Sequence, residues 1–177
     1  SMSSPVVAGA SVLVRQAIEA YGLPAPTPTE LVSILRQSAS KVFDPHTGRT
    51  YAGLQLPAAL RLVMPVDKYG DEPENAQSWG LLDATQSVSG IIQTRQDVDA
   101  FKFEVPSDGV IEFRAEGIQD LNLNVSLENA RMFLEEGETK FEVLAGRPYH
   151  LRIGSDNGIG RYTLDVGFTP SVVDWGV

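Results

Sequence analysis

Apolar residues recur at helical spacing over roughly the first sixty positions, then at every second position through most of the remainder. Val6, Val7, Ala10, Leu13, Val14, Ala17 and Ile18 fall largely three and four apart, which predicts a helix. Charge is delayed until Arg15 and Glu19, and Ala8, Gly9, Ala10 and Ser11 leave one side small enough for close approach by another element. A helix this apolar belongs inside a domain, and it is too short and punctuated to span a membrane. Gly22-Leu23-Pro24 ends it. Thr27-Pro28-Thr29-Glu30 then forms the pattern of a capping box, with Leu31, Ile34, Leu35 and Val42 as the apolar stripe of a second helix. Asp44-Pro45-His46-Thr47-Gly48 reads as a turn, and Leu56 to Val63 as a short closing helix.

Residues 64–71 read as a linker, after which the period changes. Val88 to Gln93 predicts a strand. Phe101, Phe103 and Val105 alternate with polar residues, as do Ile111, Phe113 and Ala115. The same holds for Leu121, Leu123, Val125 and Leu127, for Phe141 and Val143, for Tyr149, Leu151 and Ile153, and for Tyr162, Leu164, Val166 and Phe168. Turn clusters such as Pro106-Ser107-Asp108-Gly109 and Ser155-Asp156-Asn157-Gly158 separate them. Short alternating strands at this spacing predict an antiparallel, jelly-roll-like β-sandwich over 72–169, followed by a tail over 170–177. The fold class expected is therefore α + β in two units, with an acidic excess keeping the edge strands soluble.

Charge sharpens the division. The net charge of −9 over 177 residues is +2 over 1–63 and −11 over 64–177, which suggests two units of different ancestry. No basic cluster is dense enough to follow a phosphate backbone, so a nucleic-acid partner is not expected. The absence of cysteine removes disulfides, zinc–thiolate sites and thiol catalysis. No signal-peptide pattern and no membrane-spanning run are present in the sequence.

The opening, Ser1-Met2-Ser3-Ser4-Pro5-Val6-Val7-Ala8-Gly9-Ala10, resembles the stretch around the nucleophile of subtilisin-like serine peptidases. Ser-Met is also the remnant that an affinity-tag junction leaves before a start codon. The resemblance implies that residues 1–63 are the helical C-terminal end of an α/β catalytic domain, with Ser1 as nucleophile at the positive end of a helix dipole. Two positions depart from the family's closing pattern, Ala52 and Pro57. A nucleophilic serine needs an imidazole and an orienting carboxylate. The resemblance puts both upstream of Ser1, so those upstream segments of the same peptidase are the implied partner, together with a peptide or protein substrate. His46, in a turn, and His150, on the polar side of a strand, have no fitting context. The expectation is a serine endopeptidase as part of a longer chain, with this portion inactive alone.

Asp71-Glu72-Pro73-Glu74-Asn75-Ala76, Val88-Ser89-Gly90-Ile91-Ile92 and Asp97-Val98-Asp99-Ala100-Phe101-Lys102-Phe103 look like the bacterial pre-peptidase C-terminal domain, with Ala100 where that family has an aromatic residue. The resemblance implies a β-sandwich that follows secreted peptidases, hence a secreted, extracellular or periplasmic bacterial protein, and in some relatives a calcium ion. Glu72, Glu74, Asn75, Asp97 and Asp99 are hard oxygen donors suited to calcium, and they read equally as solvated turn residues. Three functions follow: the end of a secreted subtilisin-like peptidase, a non-catalytic binding or secretion module, or a subtilase-derived pseudoenzyme.

Overall fold

The computed structural model describes residues 3–117, 121–136 and 138–171. The chain divides into two compact units with the boundary between Val66 and Asp67. The fold is mostly β-sheet with a few helices.

The first unit holds helices α1 (Ser3–Ala20), α2 (Pro28–Gln37) and α3 (Leu56–Val63), with strands β1 (Ser40–Asp44) and β2 (Arg49–Gly53) between the last two. The capping box forms around α2. Thr27 N–H donates to Glu30 Oε2 at 2.7 Å, and Glu30 N–H donates back to Thr27 Oγ1 at 3.3 Å. Ala10, Val14 and Ile18 of α1 meet Leu35 of α2 and Ala59 of α3 in a small core. Val42 does not extend the stripe of α2 as its spacing suggested. The helix stops at Gln37, and Val42 lies half-exposed in β1, opposite Tyr51 of β2. The turn between these strands is held by Asp44, whose carboxylate accepts from His46 N–H at 2.8 Å and Thr47 Oγ1 at 2.7 Å, while Gly48 takes a φ of 64°.

The second unit is a β-sandwich. Strands β3 (Gln77–Leu81), β5 (Asp99–Glu104), β10 (Tyr149–Asn157) and β7 (Asn122–Glu128) form one sheet in the order β3-β5-β10-β7. Strands β4 (Gln86–Ile92), β11 (Gly160–Pro170), β6 (Gly109–Gly117), β9 (Glu138–Val143) and β8 (Arg131–Glu135) form the other, in the order β4-β11-β6-β9-β8. All pairings are antiparallel except that of β3, which runs parallel to β5. Between the sheets, Phe101, Leu151 and Ile153 from one meet Ile92, Ile111, Leu164 and Val166 from the other, every one of them fully buried. These are the inward positions of the alternating pattern. Tyr69, Trp79, Phe103 and Tyr149 extend the core as a chain of ring contacts with centroids 4.7–5.9 Å apart.

Three expectations change here. Tyr69, placed in a linker over 64–71, is buried in the sandwich core, its hydroxyl donating to Ser89 O at 3.2 Å. The turn cluster Ser155-Asp156-Asn157-Gly158, whose composition also fits a hairpin turn, closes no hairpin, because β10 and β11 lie in different sheets and the segment crosses between them. Charge protects edge strands β7 and β8, which carry Glu128, Arg131 and Glu135, but β3 and β4 contain no charged residue at all.

Candidate functional site

The turn Gln93–Val98 and the head of β5 bring Asp97 and Asp99 together with Asp67, which lies just past the unit boundary. One carboxylate oxygen from each of the three lies within 4.8 Å of the other two. Asp99 is fully buried, Asp97 nearly so, and Asp67 is exposed. Each is fixed by the local backbone. Asp67 Oδ1 accepts from Tyr69 N–H at 3.1 Å, and Asp97 Oδ2 from Gln93 N–H at 2.5 Å. Segment 67–70 is held beside β5 by Ala100 N–H donating to Gly70 O at 2.9 Å.

Asp99 is anchored from the opposite sheet, where the Tyr162 hydroxyl of β11 donates to its Oδ2 at 2.5 Å. Tyr162 lies opposite Gly90 in the β11–β4 register, and a Cβ on Gly90 would collide with the Tyr162 hydroxyl and Asp99 Oδ2. Glycine at position 90 thus makes room for the pair. The second oxygen, Asp99 Oδ1, is buried and has no hydrogen-bond partner among the described residues. An acceptor left in that state costs free energy unless something else satisfies it.

The electrostatics follow from burial and crowding. Desolvation, partly offset by the Tyr162 hydrogen bond and reinforced by the charges of Asp97, Asp67 and Asp71, raises the Asp99 pKa to about 7. Burial, opposed by the Gln93 amide and assisted by Asp67 and Asp71, also raises that of Asp97. Burial and the neighbouring Asp99 carboxylate push Tyr162 above its ordinary value.

Of the five oxygen donors singled out in the sequence, the structure brings together only Asp97 and Asp99. Glu72 and Glu74 are exposed and stand outside the group of three. Asn75 is a local bracket: its Oδ1 accepts from Glu72 N–H at 2.9 Å, and its side chain fills the space a Cβ on Gly70 would need. Asp67 was missed because it is thirty residues from Asp97 and sits in a stretch that reads as linker. Tyr69, two residues on, was the signal that this stretch is anchored. Hard carboxylate oxygens converging on a buried, unpartnered one fit a calcium-like cation, which takes six to eight oxygens at about 2.3–2.6 Å, the balance coming from carbonyls and water.

Ser1 lies outside the described residues. His46 is exposed in the β1–β2 turn, and His150 stands on β10 opposite Lys102 and Glu128. Among the described residues, no helix is long and apolar enough to cross a membrane.

No family model and no curated protein matches the chain. Among solved structures, it is similar to the pre-peptidase C-terminal domain of a collagenase from Bacillus anthracis, at 22% identity and a TM-score of 0.42, over 55% of this chain and 99% of that one. It is also similar to PliG, a periplasmic inhibitor of g-type lysozyme, from Salmonella Typhimurium at 11% identity and a TM-score of 0.37, over 53% and 99% of the two chains. The Aeromonas hydrophila PliG matches at 10% identity, a TM-score of 0.37 and the same coverage.

Proposed function

We propose that the chain serves as a non-catalytic accessory module, whose β-sandwich binds a calcium-like divalent cation through Asp67, Asp97 and Asp99. The observation that carries this reading is Asp99 Oδ1, buried without a partner beside two further carboxylates. A cation would satisfy that oxygen and offset both the burial and the carboxylate repulsion that raise the Asp97 and Asp99 pKa values. Secretion from a bacterium belongs to the same reading, since extracellular calcium is abundant enough for a site of modest affinity.

The finer reading is that the module closes a secreted subtilisin-like endopeptidase, with Ser1 as nucleophile and the histidine and aspartate supplied by preceding chain. It is supported by the opening residues and by α1, whose first eleven residues, Ser3 to Leu13, carry no charge. A helix apolar on every side is one that a larger body surrounds. Under this reading Ser1→Ala in the intact peptidase abolishes turnover, and this chain alone hydrolyses no peptide.

Melting of the chain in calcium chloride and in chelator, for wild type and Asp99→Asn, tests the accessory reading. Saturation at a hundredfold excess over Kd adds about 2.7 kcal/mol to the sandwich, with the gain absent in Asp99→Asn. Identical melting of wild type in calcium and in chelator rejects the cation site.

A further inference from the structure

The segment that crosses from one sheet to the other contains Asn157-Gly158, the one place in the sequence where glycine follows asparagine. Asn75, Asn122, Asn124 and Asn129 precede alanine, leucine, valine and alanine. The neighbour matters chemically. The amide carbon of an asparagine side chain is an electrophile, and the backbone nitrogen of the next residue can reach it to close a small ring. A side chain on that next residue crowds the approach, and glycine has none. Asparagine is accordingly among the residues that heat degrades first.

The local structure leaves the pair open. Asn157 is the last residue of β10, and the ladder with β7 slips just before it, so that Ser155 faces Leu123 while Asn157 faces Asn122. Gly158 belongs to no strand and takes a φ of 86°. Asn157 is exposed, and its neighbours Ser155 and Asp156 line an open hollow of about 260 Å³ together with Arg95. Arg95, in the turn before β5, donates through Nη2 to Asn157 Oδ1 at 3.2 Å. Asp156 is engaged elsewhere, its Oδ1 accepting from Asn124 Nδ2 at 3.0 Å. The oxygen that gains negative charge when the amide carbon is attacked therefore already faces a guanidinium.

We infer that Asn157 is a site of spontaneous conversion to aspartate and isoaspartate, promoted by Arg95. The Gly158 nitrogen gives its proton to solvent and bonds to Asn157 Cγ. The Cγ–Nδ2 bond breaks, and the nitrogen leaves as ammonia after taking up a proton from solvent, which closes a succinimide. Water then opens the ring. Cleavage between Cγ and the Gly158 nitrogen leaves aspartate in the ordinary chain. Cleavage between that nitrogen and the Asn157 backbone carbonyl leaves isoaspartate, with the side-chain carbon now part of the main chain. In the first product a carboxylate stands against Arg95, a charge-assisted pair in place of a neutral acceptor. In the second, the crossing between β10 and β11 is lengthened. The site is separate from the carboxylate group of Asp67, Asp97 and Asp99 and stands whether or not a cation binds there.

The test incubates the full chain in mildly alkaline buffer at body temperature and follows its mass and its proteolytic fragments. The blocked peptide of residues 154–160, which holds the same pair without Arg95, serves as the clock. The expected result is a gain of about 1 Da that maps to residue 157, with both isomers resolved by chromatography. Asn157→Gln should abolish the gain, because the longer side chain must close a larger ring. Arg95→Ala should slow it several-fold. Both positions are exposed, so unchanged melting temperatures for the two variants separate lost chemistry from lost folding. No gain at residue 157 by the time the peptide has converted overturns the inference. A rate that Arg95→Ala leaves unchanged or raises overturns it too, as does equal gain at the other asparagines.

Discussion

The two units bury their apolar residues to very different extents. The sandwich packs sixteen buried side chains into one core among the described residues, and leaves only Leu81, Met132 and Leu134 as large exposed apolar groups. The helical unit gathers five in its core and leaves Val6, Val7, Val12, Leu13, Leu23, Val32, Val42, Phe43, Tyr51 and Leu62 in water. On α1 the contrast occurs within one helix. Ala10, Val14, Ala17 and Ile18 are buried, while Val6 and Val7, four and three residues before Ala10 on the same stripe, are 59% and 43% exposed. The stripe continues past the point where α2 and α3 stop covering it. Burial drives folding roughly in proportion to the apolar area removed from water. The sandwich therefore draws far more stabilisation from burial than the helical unit, which leaves the first half of α1 without a cover among the described residues.

Substitutions can break this contrast. The largest effect is expected from Phe101→Ala, which empties the centre of the sandwich at a cost of about 3–5 kcal/mol. Chemical denaturation should show that loss in the more stable of two transitions and leave the weaker one in place. A single transition shifting as a whole would mean that the units fold as one. Gly90→Ala should cost about 1–3 kcal/mol by forcing the Tyr162–Asp99 pair apart. It should also weaken calcium binding measured by calorimetry, which a purely structural role for Gly90 would not require.

The pH dependence sharpens the comparison, because the carboxyl whose pKa is raised to about 7, Asp99, belongs to the sandwich. The folded pKa of Asp99 lies above its ordinary value of 3.8, so its stabilising contribution is complete below about 3.8 and lost as pH rises toward about 7. In chelator, the sandwich transition should fall in temperature as pH rises through that window, and Asp99→Asn should flatten the change. The smallest effect is expected in the helical unit. Thr27→Ala removes the hydroxyl half of the capping box, leaving the backbone N–H of residue 27 on Glu30, and should cost about 1 kcal/mol, seen in the weaker transition only.

What the sequence showed of this fold was what is local. The capping box is complete within four residues, and the inward phenylalanines, leucines and valines of β5, β10 and β11 alternate without interruption. The β1–β2 hairpin was hidden because its residues face water on both sides, leaving Val42 free to fit a helical stripe. Strand β3 carries Trp79 as its one core-packed side chain, and its parallel pairing with β5 spans more than twenty residues of sequence. The carboxylate group was half legible. Asp97 and Asp99 share one turn and strand head, but Asp67 joins them only through the docking of Tyr69, a tertiary event with no periodic signature. Asp99 Oδ1, the atom that gives the group its chemistry, is set by Tyr162, sixty-three residues away.

The contrast between the units is tested most directly by amide hydrogen exchange on the intact chain, since protection reports the free energy of opening each segment. The account predicts slow exchange through β5, β10 and β11 together with rapid exchange along the first half of α1. Equal protection of α1 and the central strands would contradict it, showing that the helical unit is already complete without a cover.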